Sequence, residues 1–377
     1  MSKNWRLREQ QEWQDRGLTE PDYARDLHDP FLFKDMDKAA ARILAAIAAG
    51  EKIVIFGDYD ADGVPGSAIL ALFFNEIGFT NYDVYIPDRH NEEHGLSLVM
   101  VEKLISLGAR LIITVDCGIT DVKEVKRANE LGVAVIITDH HLPGAELPPA
   151  LAVIDAQRAD NTYPFKWLCG AGVAFKLVQA LVAVPARTVL KDAPRTVLFE
   201  KVPSGWEKWL LDLVAIATVS DMVPLVGENR ALVHFGLKVL RKSPRVGLAH
   251  LFRELKLKQE FITEDDIGFM IGPRINTASR MSHASQAFFL LTTDDETRAG
   301  AIARHLEEKN RERRDQVDLI LADLDARLSL GGLASKSLIV AGNENWSLGV
   351  LGLAASRVVE KYERPVFLWA RNGHGLI

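Results

Sequence analysis

The chain contains only two cysteines, Cys117 and Cys169, and neither belongs to a CxxC pair. Two isolated thiols cannot form a disulfide framework, and they offer no cysteine pair for a structural zinc ion. Such sparse cysteine is typical of a reducing compartment. Long apolar runs are lacking too, since no stretch reaches the roughly 18 residues that a membrane span needs. The start of the chain is polar and unlike a signal peptide. We therefore expect a cytoplasmic protein with no membrane partner.

An excess of positive charge is also missing. The formal net charge is −6 over 377 residues, which argues against non-specific binding of nucleic acid by the whole surface. A local basic groove remains compatible with this balance, and bound divalent ions would offset part of the acid. The length predicts two or more domains, and the composition, 48% hydrophobic and 25% charged, is that of a globular protein.

The pattern of apolar residues predicts an α/β fold. Short apolar runs alternate with helical segments over residues 51–155, as expected for parallel βαβ units. The predicted strands are 52–57, 83–86, 111–115, 133–138 and 151–154, and the predicted helices are 65–77, 96–107 and 121–131. Residues 170–291 are predicted to be largely helical, and they include a long amphipathic segment at 206–223.

These elements suggest four parts. A helical leader at 1–45 precedes a catalytic domain at 46–297, made of the βαβ core and the helical part. A highly charged stretch without proline at 298–328 predicts a long connecting helix. Residues 329–377 then resemble the opening of a second α/β domain, with a strand at 336–340, a helix at 349–362 and a strand at 365–369.

Three of the predicted strands end directly on acidic or histidine residues. The first is followed by Asp60 and Asp62, the third by Asp116, and the fourth by Asp139 and His140. Ligands of open α/β sheets lie outside the carboxyl ends of the strands, so these side chains should meet at one edge. So many carboxylates in one place need cations, and the pattern therefore predicts a metal site.

The residue types indicate which metal. Carboxylates with one imidazole and no thiolate suit Mn²⁺ or Mg²⁺ better than zinc. Asp221, near the end of the segment before Pro224, is a further candidate ligand. Two ions roughly 3.5–4 Å apart would activate water and stabilise the attacking and leaving oxygens of a phosphoester. For a single acid at a strand end the alternative is a helix cap, and Asp139 in particular could support the ligands rather than join them.

Basic and polar side chains are candidates for substrate binding. Arg89 follows a strand end, where a guanidinium could bind phosphate, although a surface ion pair is the alternative. Arg274, Asn276 and Arg280 lie in what we predict to be a functional loop. His141 could donate to a phosphate or act as a general acid, or it could be a buried structural histidine. The basic face at 304–314 is either solvated or one wall of a nucleic-acid channel.

Several motifs resemble those of a known family. Residues 58–63 (DYDADG), 115–119 (VDCGI) and 139–141 (DHH) look like the first three motifs of the DHH phosphoesterase superfamily. Longer strings resemble the RecJ-like single-strand-specific exonucleases within it. These are 163–166 (YPFK), 168–176 (LCGAGVAFK), 219–225 (VSDMVPL), 227–230 (GENR), 272–276 (GPRIN) and 280–281 (RM). The resemblance extends over about residues 45–370.

The resemblance implies a metal-dependent exonuclease that removes nucleotides from the 5′ end of single-stranded DNA, in repair and recombination. Other repair or recombination proteins would then be further partners. It also implies a ligand set for two divalent ions, Mn²⁺ or Mg²⁺: Asp60, Asp62, Asp116, His140 and Asp221. The equivalents of His141, Arg89 and Arg280 would handle phosphates. Many small-substrate relatives carry a histidine where this chain has Phe56, so one metal is expected to depend on Asp58 instead.

The carboxyl-terminal part resembles only the start of the domain that follows in RecJ-like proteins. Residues 346–357 match its opening, and 372–377 stand where a glycine-rich phosphate-binding stretch begins. We expect either a core fragment or a naturally shortened protein, in which affinity for DNA and preference for a 5′ phosphate are impaired or lost. Two other functions stay open: a phosphodiesterase acting on short oligonucleotides or cyclic dinucleotides, and a non-catalytic partner in a replication or repair assembly.

Overall fold

The computed structural model describes residues 19–92, 94–183, 202–330, 337–372 and 375–376. The first 18 residues of the predicted leader lie outside this part of the chain. The rest of the leader forms a short helix, α1 (Tyr23–Asp26), a 3₁₀ turn (Pro30–Leu32) and most of α2 (Met36–Ala49). The side chain of Asp22 accepts hydrogen bonds from two backbone N–H groups of α1, which fixes where that helix begins.

A five-stranded parallel sheet forms the centre of the molecule and confirms the predicted fold class. Its strands, in the spatial order β2-β1-β3-β4-β5, are all parallel to their neighbours. Their bounds are β1 Ile53–Gly57, β2 Tyr82–Tyr85, β3 Leu111–Val115, β4 Ala134–Thr138 and β5 Ala152–Ile154. The connecting helices are α3 (Gly63–Glu76), α4 (Leu98–Ser106) and α5 (Val122–Glu130). Strands and helices thus lie within one or two residues of their predicted positions.

The centre of the sheet is buried on both faces because β1, β3 and β4 are almost entirely apolar. Ile53 and Ile55 point into a large core shared with α2, α3 and the later helices, whereas Val54 and Phe56 pack against α4 and α5. A continuous apolar strand is what a sheet covered on both sides requires. This arrangement leaves the carboxyl ends of the strands as the place where polar side chains can gather.

The part of the chain that follows the sheet is largely helical, as predicted, but two of its segments differ from the prediction. It comprises α6 Gly170–Ala183, α7 Leu211–Ser220, α8 Gly227–Leu240, α9 Val246–Glu254, α10 Glu264–Asp266, α11 Gly272–Met281 and α12 Ser285–Thr292. The segment predicted to be amphipathic is a 3₁₀ turn (Trp206–Leu210) followed by α7, and residues 211–218 of α7 are buried all round. The predicted loop around Arg274 is wrong, because those residues form α11. Pro273 stands in the first turn of α11, where its fixed φ favours a helix.

The predicted connecting helix exists as α13, a single helix of 35 residues from Glu296 to Leu330. Its second half packs with β6 (Ile339–Gly342), α14 (Leu348–Tyr362) and β7 (Val366–Trp369) around a separate small core. β6 and β7 are parallel, and a short antiparallel ribbon follows, made of β8 (Arg371–Asn372) and β9 (Gly375–Leu376). The predicted start of the first of these strands, residue 336, lies outside the described residues. Within those residues, no helix has both the length and the apolar character to cross a membrane.

Candidate metal centre

The carboxyl ends of three neighbouring strands bring the predicted acidic residues together. The loop after β1 carries Asp58, Asp60 and Asp62, Asp116 directly follows β3, and β4 leads to His140. Asp221 reaches the same place from the end of α7. Three groups of side chains have ligand atoms within 4.8 Å of one another: Asp116, His140 and His141; Asp62, His140 and Asp221; and Asp58, Asp60 and Asp116.

The imidazole of His140 lies at the centre of this cluster. Its Nε2 is 3.1 Å from Oδ1 of Asp116, 3.6 Å from Oδ2 of Asp62 and 3.8 Å from Oδ2 of Asp221. Nε2 of His140, Oδ1 of Asp116 and Oδ1 of Asp58 are all buried and have no hydrogen-bond partner. Buried polar atoms of this kind normally have partners. A set of orphaned oxygens and one nitrogen facing a common space therefore fits divalent cations.

The electrostatics of the cluster agree with this interpretation. Burial, followed by the charge of Asp60, raises the pKa of Asp58 to about 7. Burial, together with the charges of Asp62 and Asp60, raises the pKa of Asp221 to about 7. The pKa of Asp116 lies well above its ordinary value, mainly because of burial and secondly because of Asp62. Like charges in a dry site favour protonation unless a cation takes the place of the protons.

The loop after β1 is held by contacts from the helical part of the chain. Asp62 accepts hydrogen bonds from the backbone N–H groups of Gly170 and Ala171 at 2.6 and 2.7 Å, so the amino end of α6 fixes its carboxylate. Oδ1 of Asn276 accepts the N–H of Ala61 at 2.9 Å. Asn276, which was predicted to bind substrate, thus positions the loop between the two predicted ligands.

Close packing around Asp116 explains two glycines that flank the site. Asp116 itself adopts a left-handed backbone conformation (φ 62°), which costs energy for any residue with a side chain. A Cβ atom at Gly170 would lie 2.5 Å from Cβ of Asp116, and one at Gly66 would lie 2.6 Å from Val115. Only glycine lets α6 and α3 approach the end of β3 so closely. Residues 168–176 were noticed in the sequence only through their family resemblance, and this close approach gives the physical reason for them.

Asp139 holds the two neighbouring histidines in place through hydrogen bonds. Its carboxylate accepts hydrogen bonds from the backbone N–H groups of Ile119, His140 and His141, and it lies 2.8 Å from Nδ1 of His141. That last contact raises the pKa of His141 to about 9. Asp139 is absent from the three groups of possible ligands among the described residues. The geometry therefore agrees with the interpretation of Asp139 as a support for its neighbours.

The candidate substrate-binding arginines have different surroundings. The guanidinium of Arg89 stacks 5.0 Å from the ring centroid of Tyr59, at the mouth of the site. Nη1 of Arg280 donates to the carbonyl of Gly349 at 3.3 Å. Arg274 differs from expectation, because it is buried, ion-paired with Glu307 at 2.7 Å and bonded to the carbonyl of Met270. Its guanidinium is occupied by the contact between α11 and α13, and it is no candidate for binding phosphate.

One residue near the centre was missed by sequence reasoning. Nδ1 of His94 lies 3.6 Å from Oδ1 of Asp58, and its ring lies 6.5 Å from that of His141. It comes from the connection between β2 and α4, beyond the strand end that indicated Arg89. Only the path of that connection over the sheet edge brings it to the site.

Comparison with known proteins agrees with the site geometry. Residues 52–218 match the model of the DHH family, N-terminal domain. The single-stranded-DNA-specific exonuclease RecJ of Bacillus subtilis is 38% identical over 91% of this chain and 41% of its own length. The RecJ of Escherichia coli is 35% identical over 91% of this chain and 59% of its own length. A crystal structure of exonuclease RecJ bound to manganese superposes with a TM-score of 0.76 at 35% identity, covering 90% of this chain and 80% of that one.

These matches place the chain in the DHH family. Within that family it belongs with the RecJ-like members. It spans about half the length of the two curated relatives, 41% and 59% respectively.

Proposed function

We propose that this protein is a metal-dependent exonuclease that hydrolyses single-stranded DNA from its 5′ end. The observation that carries the proposal is the group of orphaned, buried ligand atoms on Asp58, Asp116 and His140. Carboxylate oxygens and one imidazole are the donors that Mn²⁺ and Mg²⁺ accept. The RecJ structure with the same fold has manganese bound.

Two divalent ions would be held by Asp60, Asp62, Asp116, His140 and Asp221, with Asp58 at the edge of the set. When bound, such ions supply an activated water and offset the charge that develops on a phosphodiester during hydrolysis. Asp116 and His140 each belong to two of the three ligand groups, so they are the residues suited to serve both ions. The hydrogen bonds to Asp62 and Ala61 keep the ligands in place before substrate arrives.

His141 would act directly on the substrate. Its Nδ1 faces Asp139, so its Nε2 is free to donate a proton or a hydrogen bond to a phosphate oxygen or to the leaving oxygen. A pKa of about 9 keeps the imidazole protonated at neutral pH. With 51% of its side chain exposed, His141 can reach a bound strand. Arg89 would help to neutralise the charge on the scissile phosphate, and Arg280 would bind phosphate of the same strand.

The preference for single-stranded DNA rests on the relatives, and the 5′ polarity rests on the motif resemblance to RecJ-like exonucleases. The B. subtilis and E. coli proteins are single-stranded-DNA-specific exonucleases. A role in repair and recombination, contacts with other proteins of those processes and a cytoplasmic location belong to the same proposal. So does the division into a leader, a catalytic domain, a connecting helix and a second α/β part.

An end-labelled substrate tests the proposal. Single-stranded DNA labelled at its 3′ end, with and without a 5′ phosphate, is incubated with the protein and Mn²⁺. We expect a ladder of progressively shorter labelled strands, no product in EDTA, and no digestion of a blunt duplex. Release of the 3′ label first would contradict the polarity. Faster cleavage of dinucleotides than of long strands would favour the small-substrate phosphodiesterase instead.

A further inference from the structure

Helices α11 and α13 contact each other through a regular series of side-chain pairs. Arg274 pairs with Glu307 at 2.7 Å, and Oγ1 of Thr277 lies 3.3 Å from Oδ1 of Asn310. In both pairs the partners are 33 residues apart in the chain, and the second pair is three residues further along each helix. Because residues three apart lie on the same face of a helix, the next pair in the series is Arg280 with Arg313.

This third pair joins two positive charges, unlike the complementary pairs before it. The charges around the two side chains agree with this register. Burial, followed by the charges of Arg89 and Arg313, lowers the pKa of Arg280 to about 10. The pKa of Arg313 is also lowered, by burial and then by the charges of Arg314, Arg274 and Arg357. Two partly buried guanidinium groups thus lie in a region of concentrated positive charge at the junction of the two helices.

Nothing within the described part of the chain neutralises this pair. No carboxylate there lies within 4 Å of Arg280 or Arg313, whereas Arg274 and Arg314 contact Glu307 and Arg357 contacts Asp318. Nε of Arg313 is buried and has no hydrogen-bond partner. Leaving a charged donor buried and unpaired is costly. An anion between the two guanidinium groups would remove both the repulsion and the missing hydrogen bond.

The pair lies beside the metal centre. Asn276, one turn before Arg280 on α11, accepts a hydrogen bond from the N–H of Ala61 in the loop that carries the metal ligands. Arg280 therefore lies on the helix that contacts this loop. An anion bound by both arginines would be next to the phosphate being cleaved rather than at its place.

We propose that Arg280 and Arg313 together clamp one backbone phosphate of a single strand, adjacent to the scissile phosphate. This inference rests on the proposed function and adds to it a binding position on α13. Guanidinium groups bind phosphate oxygens in a fixed planar geometry, so two of them can hold one phosphodiester from two sides. The clamp binds the sugar–phosphate chain without reading bases, as expected for a sequence-independent nuclease.

The first experiment measures binding of a labelled dT₁₂ strand in EDTA, where hydrolysis is blocked. We expect Arg313→Ala to weaken binding about tenfold or more, because a charge-assisted contact to phosphate is lost. The slope of log K against log salt should fall by about 0.7, the value for one contact to a single strand. Arg314→Ala is the matched control. Arg314 is the next residue, it is exposed, and it already contacts Glu307 at 3.7 Å. Unchanged affinity and slope in Arg313→Ala would overturn the clamp.

A second measurement separates the clamp from the chemistry and from folding. Bis(p-nitrophenyl) phosphate has a single phosphate, so kcat/KM of Arg313→Ala for it should equal that of the wild type with Mn²⁺. Parallel loss on this substrate and on DNA would place Arg313 in the metal centre and overturn the inference. If the wild type cleaves neither substrate, the proposed function itself fails. The Tm of the variant should be equal or higher, since a repulsion has been removed, and a lower Tm would contradict the repulsion.

A third measurement identifies the source of the phosphate. Inorganic phosphate is titrated into the wild type and Arg313→Ala under the conditions used for dT₁₂. We expect weak binding that differs little between the two proteins, because a free phosphate lacks the neighbouring contacts of a strand. Binding of inorganic phosphate as tight as that of dT₁₂, and lost in Arg313→Ala, would show a free-phosphate site and overturn the assignment to a backbone phosphate.

Discussion

At the scale of single residues, each member of the site has a distinct task. Asp62 is held by the amino end of α6, His140 lies among three carboxylates, and Asp139 fixes the ring of His141. Asp116 and His140 carry orphaned atoms, whereas both oxygens of Asp139 accept hydrogen bonds within the protein. This contrast predicts different consequences for substitutions that lie only a few residues apart.

Removing a central ligand should stop the reaction without unfolding the protein. We expect Asp116→Ala and His140→Ala each to reduce hydrolysis of single-stranded DNA to background and to weaken Mn²⁺ binding. Both side chains carry buried atoms without partners, so their loss should leave the metal-free protein at least as stable. Calorimetric titration with Mn²⁺ and thermal melting in EDTA measure the two effects. Full activity in either variant would refute the metal centre.

His141 should affect chemistry more than metal binding. We expect His141→Ala to lower kcat by roughly 10²–10⁴-fold, the usual contribution of a positioned acid or base. Its ring is half exposed and is held by Asp139, so the affinity for Mn²⁺ should change little. Single-turnover cleavage and a Mn²⁺ titration on the same preparation test this. A loss of activity explained entirely by lost Mn²⁺ would make His141 a ligand instead.

At the scale of elements, α6 and α11 shape a site whose ligands mostly follow strands. The amino end of α6 touches Asp62, and α11 reaches the loop after β1 through Asn276. Neither contact could be predicted from the sequence, because each joins residues more than 100 positions apart. The loop predicted around Arg274 was wrong because Gly272 and Pro273, taken alone, indicate a turn. Proline also suits the first turn of a helix, and that is where Pro273 lies.

The two glycines of α6 provide a matched test. A Cβ atom at Gly170 would lie 2.5 Å from Cβ of Asp116, while at Gly172 the nearest atom would be 3.5 Å away, an ordinary contact. We expect Gly170→Ala to displace Asp116, to weaken Mn²⁺ binding and to destabilise the fold by about 1–3 kcal/mol, as overpacking does. Gly172→Ala should keep the Mn²⁺ affinity and the stability of the wild type. Equal behaviour of the two variants in melting and Mn²⁺ titration would contradict the close packing.

At the scale of the whole molecule, the acidic cluster links stability to metal and pH. Asp58 and Asp221 have a pKa of about 7 in the folded protein, against about 3.9 for an unfolded aspartate. The folded state thus binds more protons than the unfolded state between these values. The stability of the metal-free protein should therefore fall as pH rises from about 4 to about 7. Above that range the carboxylates of the cluster are deprotonated, as the binding of cations requires.

Metal binding should reverse this loss. Ligands must be deprotonated to bind a cation, and binding to the folded state alone raises its stability. We expect Mn²⁺ to raise the Tm clearly at pH 8 and much less at pH 5. Melting curves with Mn²⁺ and with EDTA at both pH values measure the difference. An equal rise in Tm at the two pH values would show that the ion binds away from the acidic cluster.

The sequence by itself determined the strands of the sheet, the long helix α13 and the metal-ligand candidates. An apolar run that ends on an acidic residue indicates a buried strand and also the position of the acid, because the residues that follow parallel strands lie at the same edge of the sheet. Only the tertiary structure decided what depends on contacts between distant segments. It assigned Arg274 to Glu307, Asn276 to the loop after β1, and His94 to the metal centre. Such contacts follow from how helices pack against one another, and no local pattern of residues records that packing.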